Sequence, residues 1–384
     1  MSSGSLHHAA VDADSLRARI ERASAAAAES FTDALLISPG ADLRYLLGQA
    51  GGSYERLTTL IVPSGDTAPS LVVPKLEAPA YADVPADDLG IDVLTWRDGE
   101  DPYQLVADLV RIAAEPGRIA VSDTMTALHV LGLRAAIPAA EQVLAGPVLR
   151  QLRMRKDAAE IEALREAAAA IDRVHARVPE FLRAGRTEAE VAADLEAAIV
   201  EEGHTSAEFI IVGSGPNGAS PHHEVSQRVI ERGDMVVVDI GGPTPAGYYS
   251  DCTRTYAVGQ PRDPDARSVY SVLQRAQEAA VAAVGPGIAA QDVDAAARDP
   301  ITEAGYGDHF IHRTGHGIGL DVHEEPYLMA GNELVLEPGA AFSVEPGIYL
   351  PGRWGARIED IVLVTSDGVE TLNNRPRELM VVDE

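Results

Sequence analysis

Over residues 1–154, short apolar runs (LLIS, TTLIVP and SLVVP) alternate with amphipathic stretches such as Tyr103 to Ala114. That alternation predicts an α/β domain. Around GPVLRQLRMRKDAAEIEALREAAAAID the pattern changes to one long amphipathic helix, with Ile161, Leu164, Ala168, Ile171 and Val178 on one face. The change places a domain boundary near Arg155 and divides the chain into residues 1–154 and 155–384.

The second region repeats itself. AGRTEAEV followed by Gly203 and PGIAAQDV followed by Gly305 align at one constant offset, pairing Gly185 with Gly287 and Val191 with Val293. Each copy reads as a long helix, a glycine turn, a second helix and then strands, and Thr187 with Glu190 predicts a capping box at the start of the first short helix. Two such halves are expected to pack about a pseudo-twofold axis, with a pocket at their interface.

The predicted strands carry acids. MVVVDIGG reads as a buried strand ending in Asp239, and YYSDCTRTYAVG alternates so that Tyr249, Asp251, Thr253 and Thr255 share a face. In the second half AAFSVEPGIYLPG puts Glu345 in a strand, and GARIEDIVLV puts Glu359 just before another apolar run. An aspartate in an apolar strand is costly unless paired or ligating. Between these acids lies HRTGHGIGLDVHEEP, in which Gly315, Gly317 and Gly319 argue against a helix and predict close backbone approach around His316.

Composition narrows the chemistry. The 384 residues are 46% hydrophobic, enough for a sizeable core, and 59 acidic against 31 basic residues give a net charge of -28. That balance argues against nucleic acid and anionic lipid as partners and leaves small molecules or peptides. The single cysteine, Cys252, excludes an internal disulfide and suits a reducing compartment. The N-terminus lacks a signal-peptide pattern and no apolar run approaches a membrane span, so a cytoplasmic location is expected.

Asp239, Asp251, Glu345 and Glu359 cannot share a pocket unneutralised, because each like charge raises the cost of ionising the next. Divalent cations would neutralise them, and oxygen-rich ligation with one imidazole, His316, suits a metal such as Mn2+ in a dinuclear centre. Each acid alone also has a structural reading: Asp251 as an exposed strand residue, Asp239 as a turn residue before Gly241 and Gly242, and the RIED acids as a solvated pair. Their joint order and strand context favour a site.

The series VVVDIGG, SDCTRTY, HRTGHGIGLDVHEEP and VEPGIYLPGRWGARIED resembles, in that order, the metallopeptidases of the prolidase and aminopeptidase P family, whose catalytic domain has the pita-bread fold shared with methionine aminopeptidase. The resemblance covers residues 155–384; residues 1–154, with DLRYLLG as their most recognisable piece, look like the family's creatinase-type N-terminal domain. It implies an α/β N-terminal domain followed by an α+β pita-bread domain with an internal repeat. It also implies that Asp239, Asp251, His316, Glu345 and Glu359 bind two divalent ions, Mn2+ first with Co2+ or Zn2+ as alternatives. On the same resemblance His323 steadies the substrate carbonyl, His222 serves proton transfer, and His312 belongs to the substrate pocket. Arg357 would clamp a ligating carboxylate, with Tyr349 supporting the pocket. His223, His7, His8, His129, His175, His204 and His309 are read as non-catalytic, and Cys252 as a small buried residue.

The implied activity is hydrolysis of the Xaa-Pro bond of short peptides by a cytoplasmic homodimer. His323 would stabilise the developing oxyanion, and Glu345 would carry a proton to the leaving nitrogen. A dipeptidase is preferred from the short architecture over an aminopeptidase acting on Xaa-Pro-Yaa. A creatinase-like hydrolase, a lyase or a binding module of the same fold is disfavoured by the complete ligand set. The sequence offers no clear arginine for a dipeptide's free carboxylate, since the position after HEEP, where some dipeptidases of the family carry a base, is Tyr327.

Overall fold

The computed structural model describes residues 11–52, 55–112 and 115–383. His7 and His8, and the expected end of a helix at Ala114, lie outside them. The chain divides into two compact units, Met1–Arg153 and Met154–Glu384.

The first unit is built on a six-stranded mixed sheet in the order Asp92–Trp96, Ser70–Pro74, Thr59–Pro63, Ala34–Ile37, Arg118–Val121, Glu141–Leu144. Three of its pairings are parallel and two antiparallel. The amphipathic stretch from Tyr103 becomes the helix Pro102–Val110, whose N-cap, Asp101, accepts hydrogen bonds from the amides of Tyr103 and Gln104. DLRYLLG closes the helix Ala41–Leu47 at Gly48, whose φ of 74° is the left-handed value a helix end needs.

The second unit is duplicated as the sequence pattern predicts. Its long helices are Ala158–Phe181 and Ala266–Ala283; each is followed by a glycine turn and a 14-residue helix, Glu188–Glu201 and Ala290–Glu303. The turn glycines Gly185 and Gly287 have φ of 89° and 86°, and their helices bury Val191 and Val293 completely. Thr187 and Glu190 form the expected capping box. On the first long helix Leu164, Ala168, Ile171 and Val178 are buried while Ile161 is half-buried. Each fully buried aliphatic side chain of this kind contributes roughly 1.5–3 kcal/mol.

The strands form a four-stranded sheet in the order Met380–Val382, Tyr249–Val258, Met235–Pro243, Phe209–Ser214, and a five-stranded sheet in the order Glu324–Leu328, Gly315–Gly317, Ala341–Val344, Asp360–Val364, Val369–Thr371. A separate hairpin pairs Gly347–Leu350 with Trp354–Arg357. Two expectations need correcting. Asp239 does not end its strand, which runs on through Gly241 and Gly242 to Pro243, because both glycines stay in register with the next strand. Glu345 is not in a strand but one residue past Ala341–Val344, in the break before Gly347. Among the described residues no helix is long and apolar enough to cross a membrane.

Candidate metal centre

The sheet registers bring the acids together. Asp239 lies opposite Thr253, and Asp251 lies opposite Gly241 two residues along, so both aspartates and Thr253 project from one face of the antiparallel pair. In the other sheet Val344 pairs with Asp360, and Glu345 and Glu359 follow at the open end of that ladder. His316 occupies the middle of a three-residue strand between Glu324–Leu328 and Ala341–Val344.

The result is one buried cluster. His316 Nε2 lies 3.3 Å from Glu345 and 3.6 Å from Asp251, and single ligand atoms of Asp251, His316 and Glu359 all fall within 4.8 Å of one another. His316 Nδ1 lies 3.1 Å from the Gly317 carbonyl, which can only accept, so Nδ1 carries the proton and Nε2 presents its lone pair to the acids. Thr253 donates to Glu359 at 2.7 Å and Ser343 to Glu345 at 3.1 Å. Arg357 donates to Asp239 at 2.5 Å. Asp251 and Glu359 are only 4% and 1% exposed, which excludes the reading of either as a solvated strand residue.

Electrostatics follow from that crowding. Burial, then the charges of Glu359, Asp239 and Glu345, push the Asp251 carboxyl well above its ordinary range. Burial, then Glu345 and Asp239, does the same to Glu359. Glu345 is pushed up to about 7, mainly by burial, with Arg357 opposing. Burial and neighbouring His323 hold His316 down to about 3, so it is a neutral imidazole near pH 7.

The donor set fits divalent ions. Asp239 Oδ1 and Glu359 Oε1 are buried with no hydrogen-bond partner among the described residues. Orphaned anionic oxygens are expensive in a low-dielectric site, and four carboxylates face one guanidinium and a neutral ring. That leaves an excess of three negative charges, which hard divalent cations would offset, and carboxylate oxygens with one imidazole suit such ions.

The cluster forms the floor of a cavity of about 880 Å³. His222, His312 and His323 line it, as does Arg357, while Tyr349 sits behind. Arg357 is only 2% exposed. It also donates to Thr253 at 3.1 Å and to the Tyr349 hydroxyl at 2.7 Å. Tyr349 in turn lies 2.9 Å from His312 Nε2, and His312 Nδ1 lies 2.7 Å from the Arg313 carbonyl. Because that carbonyl fixes the proton on Nδ1, Tyr349 donates to His312 and accepts from Arg357, giving a continuous relay to Asp239. Burial pushes the Tyr349 phenol up to about 12 and holds His312 down to about 4, so the relay is protonated as this requires. The His323 ring centroid is 4.2 Å from that of His316, and burial lowers its pKa.

The remaining histidines have other partners. His223 lines the cavity, but its Nε2 is 2.8 Å from Glu188. His175 is enclosed by Tyr256 and the Cys252 carbonyl, and His204 bonds Ser250. His129 meets the Tyr103 hydroxyl in the first unit, and His309 stands by the Tyr306 ring. Cys252 is buried, and burial pushes its thiol pKa well up.

Sequence reasoning missed several contributors. Glu188 is fully buried and accepts from Ser214, Asn217, His223 and Ser226, pinning the segment that carries His222. Its place in the first turn of a helix gave no sign of this. Thr253 carried a signal, since it shares the alternating face of Asp251. The glycines around His316 serve a purpose other than approach to an ion: a Cβ at Gly315 would lie 1.9 Å from the Ser343 carbonyl oxygen, and one at Gly317 would lie 2.1 Å from that of Glu325. They let neighbouring strands close on His316.

Comparison with known proteins places this geometry. Residues 162–366 match the family described as Metallopeptidase family M24, and residues 19–155 match the Creatinase/Prolidase N-terminal domain. The probable dipeptidase PepE of Mycobacterium tuberculosis is 57% identical over 371 residues, 97% of this chain and 98% of the relative. The Xaa-Pro dipeptidase of Lactobacillus helveticus is 37% identical over 360 residues, 92% of this chain and 96% of the relative. The crystal structure of a prolidase from Thermococcus sibiricus superposes with a TM-score of 0.89 at 38% identity, covering 97% of this chain and 100% of that one.

Proposed function

The chain belongs to metallopeptidase family M24, and from that premise we propose that it is an Xaa-Pro dipeptidase working with two divalent ions. Its fold is a creatinase-type α/β domain followed by an α+β pita-bread domain. The observation that carries the reading is the buried set of four carboxylates around a neutral His316, two of whose oxygens have no partner among the described residues. The names of the relatives, dipeptidase and Xaa-Pro dipeptidase, supply the substrate class.

In this reading residues 155–384 form the catalytic domain, and Asp239, Asp251, His316, Glu345 and Glu359 are the ligands, with Mn2+ the first candidate and Co2+ or Zn2+ the alternatives. The bound ions would supply Lewis acidity and lower the pKa of a water at the site. Glu345, which accepts from Ser343 beside the cavity, is suited to hold a proton from the attacking water and release it to the leaving nitrogen. A departing proline nitrogen is a secondary amine and needs that proton. His323 donates to the substrate carbonyl oxygen as charge develops there. His222 serves the proton-transfer side, while Arg357, supported by Tyr349 and His312, keeps Asp239 aimed at the floor of the cavity.

The testing experiment compares Ala-Pro with Ala-Pro-Ala on the Mn2+-loaded full chain. Hydrolysis of Ala-Pro with little action on the tripeptide is expected; the reverse preference makes the protein an aminopeptidase. A homodimer is part of the same proposal, supported by the family resemblance and by the exposed apolar side chains Leu128 and Leu131 on one helix of the first unit. A monomer mass in light scattering across working concentrations would refute it. A cytoplasmic location is proposed on the lone, unpaired Cys252.

A further inference from the structure

We propose that Lys156 is a positioning residue for the hydrolysis: its buried ion pair with Glu324 fixes the loop 319–323 and so aims the His323 ring at the substrate carbonyl. The inference rests on the peptidase reading above and deepens it at His323.

The His323 ring needs such support. It lines the cavity but makes no hydrogen bond among the described residues, and its ring contact is with His316. Its aim therefore depends on its backbone. That backbone leaves the strand Gly315–Gly317, passes through Gly319 and returns as the strand Glu324–Leu328. Gly317 pairs with Glu324 where the loop closes, but the register shifts between His316 and Gly317, so the ladder is irregular at this end and a side chain has to complete the closure. Glu324, the residue after His323, does so. Its carboxylate lies across the loop against the bare Cα of Gly319, where a Cβ would come within 2.7 Å of Oε1. Gly319 is held in turn, since its amide donates to the Asp321 carbonyl at 3.1 Å and its carbonyl accepts from the Tyr249 amide at 2.9 Å.

Lys156 holds that carboxylate. Its Nζ donates to Glu324 Oε1 at 2.6 Å, and the two side chains are only 1% and 10% exposed. The lysine is itself anchored. Its amide donates to the Gly339 carbonyl at 2.9 Å. Gly339 takes a φ of 91° and approaches so closely that a Cβ would lie 3.0 Å from the Lys156 carbonyl oxygen. The next residue, Asp157, caps the helix Ala158–Phe181 in a capping box with Glu160. Lys75 and Lys156 are the only lysines among 31 basic residues, so a lysine kept inside the fold points to a need for a compact ammonium rather than a planar fork. A buried ion pair returns little net stability for the desolvation of its members. What it supplies here is a fixed position: the ammonium keeps Glu324 against Gly319, and the adjoining His323 is held toward the cavity.

The experiment measures kcat and KM on Ala-Pro for the Mn2+-loaded full chain, with metal content and urea midpoints on the same samples, in wild type, Lys156→Met, His323→Ala and the variant carrying both. Lys156→Met should lower kcat roughly 10- to 100-fold, the scale for a residue that orients a functional side chain, with KM and metal content near wild type. Because that loss passes through His323, adding Lys156→Met to His323→Ala should cost less than about a further twofold. Pairing Lys156→Met with Glu324→Gln leaves no lone buried charge, so the urea midpoint should recover while kcat stays low; this variant carries the test if Lys156→Met does not fold. Unchanged kcat in Lys156→Met, an equal loss on the His323→Ala background, loss of bound metal, or recovery of kcat together with stability in the paired variant would overturn the assignment. If wild type leaves Ala-Pro intact the peptidase reading itself fails; if it cleaves Ala-Pro and the Lys156 effect does not depend on His323, only the positioning role does.

Discussion

Glu359 and Asp360 are consecutive and equally buried, at 1% and 0% exposed, yet they belong to different regions with opposite logic. Strand alternation sends them to opposite sides. Asp360 faces a polar network behind the sheet, where one oxygen accepts from Arg254 at 2.6 Å and the other from Gln277 at 2.9 Å and Arg377 at 2.5 Å. Glu359 faces the cavity, where one oxygen has only the Thr253 hydroxyl and the other has nothing among the described residues. A buried carboxylate with both oxygens answered is a structural element. One left unanswered beside three further acids is what a cation-binding site calls for.

The sharpest way to break this contrast is to neutralise each side in turn. Glu359→Gln, and Asp251→Asn on the same face of the site, should lose bound metal and lower turnover on the order of 10³-fold or more, since the ions supply several kcal/mol of transition-state stabilisation. The fold should survive, because burial already disfavours the charge being removed. Elemental analysis and thermal unfolding of the variants test both halves of that statement; wild-type metal content in both would remove them from the ligand set. Asp360→Asn should do the reverse. It strands Arg254 and should cost roughly 3–5 kcal/mol of stability by denaturant titration, while the folded fraction keeps its metal.

The next contrast lies within the cavity. His316→Ala should lose both metal and turnover. His323→Ala should keep its metal and lose on the order of 10²- to 10³-fold in kcat, the scale for one oxyanion donor. Metal stoichiometry beside steady-state kinetics decides, and the opposite pattern would exchange the two roles.

The smallest effect belongs to the satisfied side. His175, enclosed by Tyr256 and the Cys252 carbonyl, is pulled from its ordinary 6.5 down to about 3, chiefly by burial. A depressed imidazole stabilises the fold above its ordinary value, and that contribution is lost as pH falls from 6.5 through about 3. Stability should therefore fall on acidification by at most about 1.4 kcal/mol per pH unit from this group, and His175→Gln should flatten the slope. Urea midpoints between about pH 6 and 4 measure it; identical slopes would assign the acid sensitivity elsewhere.

The same contrast explains what could be read in advance. The duplication was legible because turn glycines and buried valines recur at one offset, and the candidate ligands were legible because acids in apolar strands are anomalous. The partners that separate Glu359 from Asp360 were not: Arg254 and Asp360, like Arg357 and Asp239, meet across more than a hundred residues. Glu188 went unassigned because the serines and asparagine it gathers come from another segment. Asp239 and Glu345 were misplaced by a residue or more because strand ends depend on register with a neighbour, which periodicity within one segment does not encode.

The central claim, that the unanswered carboxylates hold divalent ions on which hydrolysis depends, is tested by stripping the full chain with chelator, restoring it with Mn2+, and measuring metal content and Ala-Pro hydrolysis on the same samples. The account predicts that activity disappears with the metal and returns as two ions per chain are taken up. Full activity in a sample shown by elemental analysis to be metal-free would contradict it.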